Sequence, residues 1–321
     1  MDTAILDSSV LLNRPFGATE LTAPRKSPDK TFLELTPKFI GYAAYDLKLS
    51  PQTVQKYGES LKWVMKHLPK VLSPSILCLE DITLLKQRIQ ERGAGESRTN
   101  SILFALRKFL AYCQEIQKIA TIINIEDIKP MKLPKRQVTF LDKEEIQQLL
   151  NSINVDSIYG LRMRALMELL LATGMRIGEA LSLNRQDLDL KNLEVNIIGK
   201  GNKERTVYLK PRTIEWINKY LKQRTDSEPA LFVAFGTSNR LTRHDLGKEF
   251  RRYAAKAGIK KKVTPHILRH SMATLMLHQG ADIMFIKDIL GHSTISTTAK
   301  YYLGTDKKKL KEAHEKYLKY D

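Results

Sequence analysis

The chain has 321 residues, 42% of them hydrophobic, and its 53 Lys and Arg residues outnumber 35 Asp and Glu residues to give a net charge of +18. This length suits two domains with a core each, and this hydrophobic content excludes an intrinsically disordered chain. The positive charge favours a polyanionic partner, because phosphates are attracted to such a surface at long range.

Several functional classes lack the residues that they require. The two cysteines, Cys78 and Cys113, form no Cys-x-x-Cys pair and fall in apolar stretches that we interpret as helical, which predicts core packing in a reducing compartment. No His-Glu-x-x-His motif, cysteine cluster or Walker phosphate loop is present, so we expect no metal and no cofactor. No apolar run reaches the ~20 residues that span a bilayer, and the N-terminus lacks a basic signal region. We therefore expect a cytoplasmic protein without a membrane partner.

The first half of the chain is predicted to be a short arm followed by a helical domain. Residues 1–30 lack periodicity and contain several prolines, which indicates a flexible arm. Residues 31–128 show apolar spacings of three and four, typical of helices. Ser50-Pro51 predicts a helix start, and further helices are expected near Glu80 to Arg92 and Glu96 to Lys118.

Basic and polar residues in this half are candidate DNA contacts. The helix expected near Glu96 to Lys118 has a polar side that carries Arg98, Asn100, Arg107 and Lys108. These residues could form a solvated face, or they could contact the phosphates and grooves of DNA. Residues 129–138 are predicted to be a linker, stiffened by two prolines. Its Lys132, Lys135 and Arg136 would suit a strand lying against DNA.

The second domain, residues 139–321, is predicted to be mostly helical with one hairpin. Leu193 to Ile198 and Arg205 to Leu209 have the pattern of two paired strands, joined by a glycine-containing loop over Gly199 to Lys203. An apolar helix is expected from Arg162 to Ala172. Other helices are expected to start at Asp142, Pro211, Thr242, Thr264, Asp282 and Asp306. The fold class is therefore mainly α with a small antiparallel β-sheet.

Short segments of this domain contain residues suited to phosphate chemistry. Arg176 opens a helix after Gly174, where free backbone N–H groups attract anions, although such an arginine is usually only a surface charge. Lys200 projects from the hairpin loop, with Lys203 as its weaker rival. His266 and Arg269 share one face of a helix start after Thr264-Pro265.

Two further candidates lie near the C-terminus. Leu290-Gly291-His292 is followed by Lys300-Tyr301-Tyr302, and each signal alone is weak. His270 lies on another side of its helix and receives no chemical role. The combined set contains Arg, Lys, His and Tyr but no carboxylate. Such a set suits metal-free attack of a tyrosine on a phosphodiester, with arginines neutralising the nonbridging oxygens.

These segments, in this order, resemble the motifs of the tyrosine recombinase and integrase family, most closely its Xer group. The similar motifs are Ala-Thr-Gly-Met-Arg176, Gly-Lys200-Gly-Asn-Lys-Glu-Arg, His266-Ile-Leu-Arg269-His, Leu-Gly-His292 and Thr-Thr-Ala-Lys-Tyr301. The resemblance covers roughly Phe140 to Tyr302. The helical segment before it resembles the family's core-binding domain in architecture only.

The resemblance implies a role for each matching residue. Arg176 and Arg269 would bind the scissile phosphate, where a forked guanidinium cannot be replaced by Lys. Lys200 would protonate the leaving 5′ oxygen, His266 would take the proton of the nucleophile, and His292 would hydrogen-bond the phosphate. Tyr301, with Tyr302 as the alternative, would form a 3′-phosphotyrosine link, so rejoining would need no ATP.

The resemblance also implies partners. Double-stranded DNA with paired half-sites would bind a homodimer, and two such sites would synapse in a homotetramer within the nucleoid. The C-terminal helix, residues 306–319, would dock either on its own domain or on a neighbouring protomer. The alternatives are a type IB topoisomerase-like enzyme that relaxes DNA, a DNA-binding protein without catalysis, and an RNA-binding protein. The last is disfavoured because no RNA-recognition pattern is visible.

Overall fold

The structure, a computed structural model, describes residues 30–134, 139–199, 204–234, 236, 239–292 and 294. The described residues form two compact units, one up to residue 134 and one from residue 139. The predicted arm, except its last residue, lies outside the described residues. The same holds for Lys135, Arg136, Lys200, Lys203, Tyr301 and the predicted helix over 306–319. None of the described helices is both long and apolar enough to span a bilayer.

The described part of the first unit contains four α-helices. They are α1 (Phe32–Tyr45), α2 (Pro51–His67), α3 (Leu79–Glu91) and α4 (Glu96–Glu115). The predicted start of α2 is confirmed, because the Ser50 side chain accepts the N–H of Thr53. In the core, the ring of Phe109 from α4 stacks on that of Phe32 and meets that of Phe39 edge-on. These ring contacts pack α1 against α4.

Two expectations for this unit change. Cys78 does not lie in a helix but precedes α3, where its backbone N–H donates to the Asp81 carboxylate over 3.0 Å. The beginning of the predicted linker is held against the first unit, because the Asn100 amide forms two hydrogen bonds with the backbone of Met131. Lys86 also donates to the carbonyl of Lys129.

The described part of the second unit contains seven α-helices and three strands, which confirms the predicted fold class. The helices are α5 (Lys143–Asn151), α6 (Ile158–Thr173), α7 (Ile177–Ser182), α8 (Pro211–Lys222), α9 (Arg243–Lys256), α10 (Pro265–His278) and α11 (Ile283–Leu290). The strands β1 (Leu188–Asp189), β2 (Glu194–Ile198) and β3 (Glu204–Tyr208) pair antiparallel in that order. The predicted hairpin is confirmed, with Val195 opposite Val207 in the core.

Helix α6 is the central element of this unit. It is buried around nearly its whole circumference, which matches its apolar sequence. It ends at Gly174, which has a positive φ of 60°. A Cβ atom there would lie 2.0 Å from the Met272 side chain and 3.1 Å from that of Leu290. Glycine therefore allows the end of α6 to approach α10 and α11 closely.

Candidate active site

Arg176 stands at the start of α7, two residues after the left-handed turn at Gly174. Its backbone N–H donates to the Glu179 carboxylate over 2.7 Å, and its guanidinium donates to the other oxygen of that carboxylate over 3.0 Å. Its Nη2 also donates to the carbonyl of Gly291 over 3.3 Å. The side chain remains 32% exposed, so further N–H donors can still reach an anion.

Arg269 lies in the first turns of α10 and is 4% exposed. Its two terminal nitrogens donate to the carbonyls of Gly174 and Leu290. The sequence predicted a shared face with His266, yet the two residues differ, because His266 is exposed while Arg269 is buried beneath it. A buried guanidinium held by two carbonyls has a fixed orientation before any ligand arrives.

His292 follows directly on the C-terminal end of α11. That end closes with Gly291 in the left-handed conformation, and the N–H of His292 donates to the carbonyl of Lys287 over 3.0 Å. Burial, followed by the charges of Arg269 and Arg176, lowers the pKa of His292 to about 4. Its imidazole is therefore neutral at pH 7 and able to donate one hydrogen bond to a phosphate oxygen.

Two histidines of α10, His266 and His270, share this electropositive environment. Crowding by protein atoms and then the charge of Arg269 lower the pKa of His266. Burial and then the charge of His266 lower the pKa of His270. A neutral His266 at the exposed rim can accept a proton. His270, which the sequence left without a role, lies close enough to influence both His266 and His292 electrostatically.

Sequence reasoning missed Glu179 and Arg205. The set expected from sequence contained no carboxylate, and the structure corrects this: Glu179 is buried and contacts Arg176 and Arg205. Burial raises the pKa of Glu179, but hydrogen bonds from Arg205 and Arg176 outweigh it and hold the pKa below its ordinary value. The carboxylate stays charged, because positive charges that would otherwise repel one another surround it. An acid three residues after a helix-opening arginine was the available signal.

Arg243 is a further arginine that the sequence did not indicate. It is exposed at the start of α9, and a Cβ on Gly178 of α7 would lie 2.8 Å from its Nη2. Its charge also contributes to the lowered pKa of His266. The described site therefore combines four guanidiniums, one carboxylate and three histidines. No group of three His, Cys, Asp or Glu side chains in the described part of the chain is arranged to hold a metal ion.

The residues that the sequence proposed as DNA contacts have different surroundings. Arg98 lines a groove of the first unit together with Lys62, Lys66, Trp63 and Glu59. Asn100 is engaged with Met131, and Arg107 forms a two-bond ion pair with Glu126. Lys108 lies over the ring of Phe104, and Lys132 is exposed. The lysines of α2 were missed, although their spacing of four on a polar helix face was visible.

Comparisons with known proteins point to one family. The model of the phage integrase family matches residues 139–309. The tyrosine recombinase XerD of Yersinia pestis is 31% identical over 303 residues, which cover 91% of this chain and 98% of that protein. XerD of Lacticaseibacillus casei is 34% identical, covering 82% of this chain and 91% of that protein. A solved structure of XerH with its palindromic difH substrate has the same fold, with a TM-score of 0.69, 24% identity and coverage of 88% and 84%.

Two neighbouring arginines, one of them buried, a neutral histidine at the same helix end and a family match over the second unit define a class of DNA strand-exchange enzymes. The chain belongs to the phage integrase family, among the tyrosine site-specific recombinases.

Proposed function

We propose that this recombinase cuts and rejoins double-stranded DNA at paired half-sites through a covalent link to Tyr301. The single observation that carries the proposal is the arrangement of Arg176 and Arg269. Their guanidiniums bind neighbouring carbonyls, Gly291 and Leu290, at one helix end. Two forked cations fixed side by side suit the nonbridging oxygens of one phosphate, whose negative charge grows during attack.

The proposed reaction balances protons and bonds without an energy source. The Tyr301 oxygen attacks phosphorus and passes its proton to His266, while the bond from phosphorus to the 5′ oxygen breaks. Lys200 protonates that leaving oxygen, and His292 donates a hydrogen bond to the phosphate. The phosphotyrosine link conserves the energy of the broken ester. A 5′ hydroxyl from another strand can therefore reverse the reaction and rejoin the DNA.

The first unit is proposed to provide general DNA binding, as a helical domain over residues 31–128 followed by a linker over 129–138. Lys62, Lys66 and Arg98 line one groove in it, and cations there would replace counterions on the DNA backbone. Lys108, Lys132, Lys135, Arg136 and Lys203 remain proposed phosphate contacts. Asn100 and Arg107 would have to leave their protein partners to contact DNA. A substrate of this kind would place the enzyme at the nucleoid.

Assembly is proposed to follow from the paired half-sites. Each half-site would bind one protomer, giving a homodimer on one site and a homotetramer when two sites meet. The helix proposed over 306–319 would join neighbouring protomers. The relatives named XerC and XerD, and the structure of XerH with difH, support a DNA substrate for this chain.

The decisive experiment traps the covalent intermediate. Duplexes with a randomised centre and a single nick are incubated with the protein, because a short cleaved strand diffuses away and leaves the adduct. Adducts are isolated under denaturing conditions, and their DNA is sequenced. We expect an adduct with a restricted set of sequences, lost in Tyr301→Phe and retained in Tyr302→Phe.

Other results would contradict the proposal in distinct ways. Loss of the adduct in Tyr302→Phe alone would move the nucleophile to the next residue. An adduct without sequence preference would favour a topoisomerase-like enzyme. DNA binding without any adduct would favour a protein that has lost catalysis.

A further inference from the structure

The C-terminal end of α11 binds three arginines in succession. Arg205 Nε donates to the carbonyl of Ile289 over 3.2 Å, Arg269 donates to that of Leu290, and Arg176 donates to that of Gly291 over 3.3 Å. The last carbonyls of a helix lack partners within the helix and carry partial negative charge. This helix end therefore holds both proposed phosphate-binding arginines, and the third arginine belongs to the same arrangement.

Arg205 also holds the only carboxylate found among the described residues of this cluster. Its Nη1 donates to Glu179 Oε1 over 3.1 Å, and its Nη2 donates to Glu179 Oε2 over 2.7 Å. Arg176 uses the same two oxygens, through its Nη1 and its backbone N–H. The Arg205 side chain is only 13% exposed, against 32% for Arg176. Arg205 thus lies behind Arg176, with the carboxylate between them.

We propose that Arg205 is a positioning residue for DNA cleavage: it fixes the Glu179 carboxylate to the end of α11 and so holds Arg176 and His292 in their reactive orientation. This inference rests on the proposed function, because it assumes that Arg176 and His292 bind the scissile phosphate. Arg205 itself does not contact the phosphate in this arrangement. It acts on Arg176 by holding the Glu179 carboxylate, and on His292 by binding the Ile289 carbonyl at the helix end that precedes His292.

The geometry requires an arginine at this position. Three different nitrogens of one planar group reach three acceptor oxygens, and the point charge of a lysine cannot reproduce that fork. The close approach also requires Gly291, because a Cβ there would lie 3.0 Å from Cδ, Nε and Nη1 of Arg205. The positive φ of 62° at Gly291 adds a second reason for glycine.

The charge of Arg205 has a consequence that packing alone would not have. The groups that act on Glu179 are Arg205 and Arg176, and those that act on His292 are Arg269, Arg176, His270 and Arg205. Removal of the Arg205 charge raises the pKa of Glu179 and the pKa of His292, because each loses a neighbouring cation. Both changes shift the acidic limb of the cleavage rate to higher pH.

The test compares wild type with Arg205→Gln, Arg205→Lys and Arg212→Gln. Arg212 is the matched control, because it also binds a buried carboxylate, Glu168, in the same unit. The probe is a nicked duplex recovered with wild-type protein in the trapping experiment. Single-turnover adduct formation at saturating protein is followed between about pH 3.5 and pH 8, a range that includes the pKa of His292, with DNA affinity and melting temperature measured alongside.

We expect Arg205→Gln to lower the saturating rate by about 10- to 100-fold, since small misplacement of a reacting group has effects of this order. Its acidic limb should move to higher pH. Arg205→Lys should keep the acidic limb near that of wild type, because the charge remains, yet cleave more slowly because the fork is lost. Arg212→Gln should cleave at the wild-type rate per folded molecule.

The contrary results are distinct. A wild-type rate and acidic limb in Arg205→Gln would overturn the inference, as would a loss of DNA affinity with an unchanged saturating rate. If Arg205→Gln does not fold, Arg205→Lys decides, and a wild-type saturating rate in that variant overturns the inference. Wild-type protein that traps no adduct would refute the proposed function and this inference together, whereas failure confined to the Arg205 variants refutes this inference alone.

Discussion

The described residues of the second unit include two triads in which a buried glutamate lies between two arginines, and the triads differ in what else the arginines contact. Glu168 binds Arg164 and Arg212, while Glu179 binds Arg176 and Arg205. Arg164 lies over the ring of Trp216, 4.4 Å from its centroid, and donates to the carbonyl of Leu150. The core therefore encloses this triad on the side of Arg164, while the Arg212 side chain is 47% exposed.

The Glu179 triad has different neighbours. Its arginines bind the carbonyl end of α11, and Arg176 keeps a third of its side chain exposed beside the neutral His292. Each triad thus keeps one partly exposed arginine, and the two differ in the neighbours of that arginine. Arg176 lies beside Arg269 and His292 at one helix end, where an anion would meet several donors.

The largest expected effect concerns Arg176, the partly exposed arginine of the Glu179 triad. Arg176→Lys should slow adduct formation about 10²- to 10³-fold, because a fixed forked donor to the transition state is lost. Arg212→Lys at the other triad should leave the rate unchanged. Single-turnover cleavage of the trapped substrate measures both, and equal losses in the two variants would remove the distinction between the triads.

The next effect concerns stability and the Glu168 triad. Glu168→Gln should lower the free energy of unfolding by about 3 kcal/mol, because the buried Arg164 keeps its charge beside a neutral partner. Urea unfolding measures this change. The cleavage rate per folded molecule should stay at the wild-type value, and a rate loss that exceeds the loss of folded protein would show that this triad also acts in catalysis.

A smaller effect is expected where α6 turns toward Arg176. Gly174→Ala should cost about 2 to 3 kcal/mol, since a positive φ and a Cβ placed 2.0 Å from Met272 act together. Gly258 is the matched control, with a φ of 71° and no atom within 4 Å of an added Cβ. Gly258→Ala should cost only about 1 kcal/mol. Equal costs in urea unfolding would mean that Met272 moves aside freely.

Local signals in the sequence predicted most of the fold. Helix starts at Ser50-Pro51 and Thr264-Pro265 were visible because a capping side chain and a proline act on adjacent residues. Alternating apolar and polar residues over Leu193 to Ile198 predicted the hairpin in the same way, and the burial of β2 alternates accordingly. Strand β1 was missed because two residues are too few to show alternation.

The site was predictable only in part, since several of its contacts join distant segments. The motifs located Arg176, His266, Arg269 and His292, and the structure places these four near one helix end. The roles of Lys200 and Tyr301 stay predictions from resemblance. Arg205 meets Glu179 from 26 positions away and Ile289 from 84, and no local spacing reports such a contact.

The smallest expected effect is a pH dependence of stability caused by His292, which lies beside the Glu179 triad. The pKa of His292 is lowered to about 4 in the folded protein, from an ordinary value of 6.5. Between these values the unfolded chain binds a proton that the folded chain does not. Stability therefore rises with pH from about 4 to about 6.5 and is level above that range as far as this group is concerned.

The same direction holds for His266 and His270, whose pKa values are also lowered, so the three histidines act together. Exchange of one of them should reduce the slope without abolishing it. We expect His292→Gln to show a shallower rise of unfolding free energy across this window than wild type, measured by urea unfolding at several pH values. His244→Gln, at an exposed position of α9, is the matched substitution for comparison. A slope unchanged in His292→Gln would mean that His292 binds a proton equally well in the folded and the unfolded chain. The arginines around α11 would then not determine its charge.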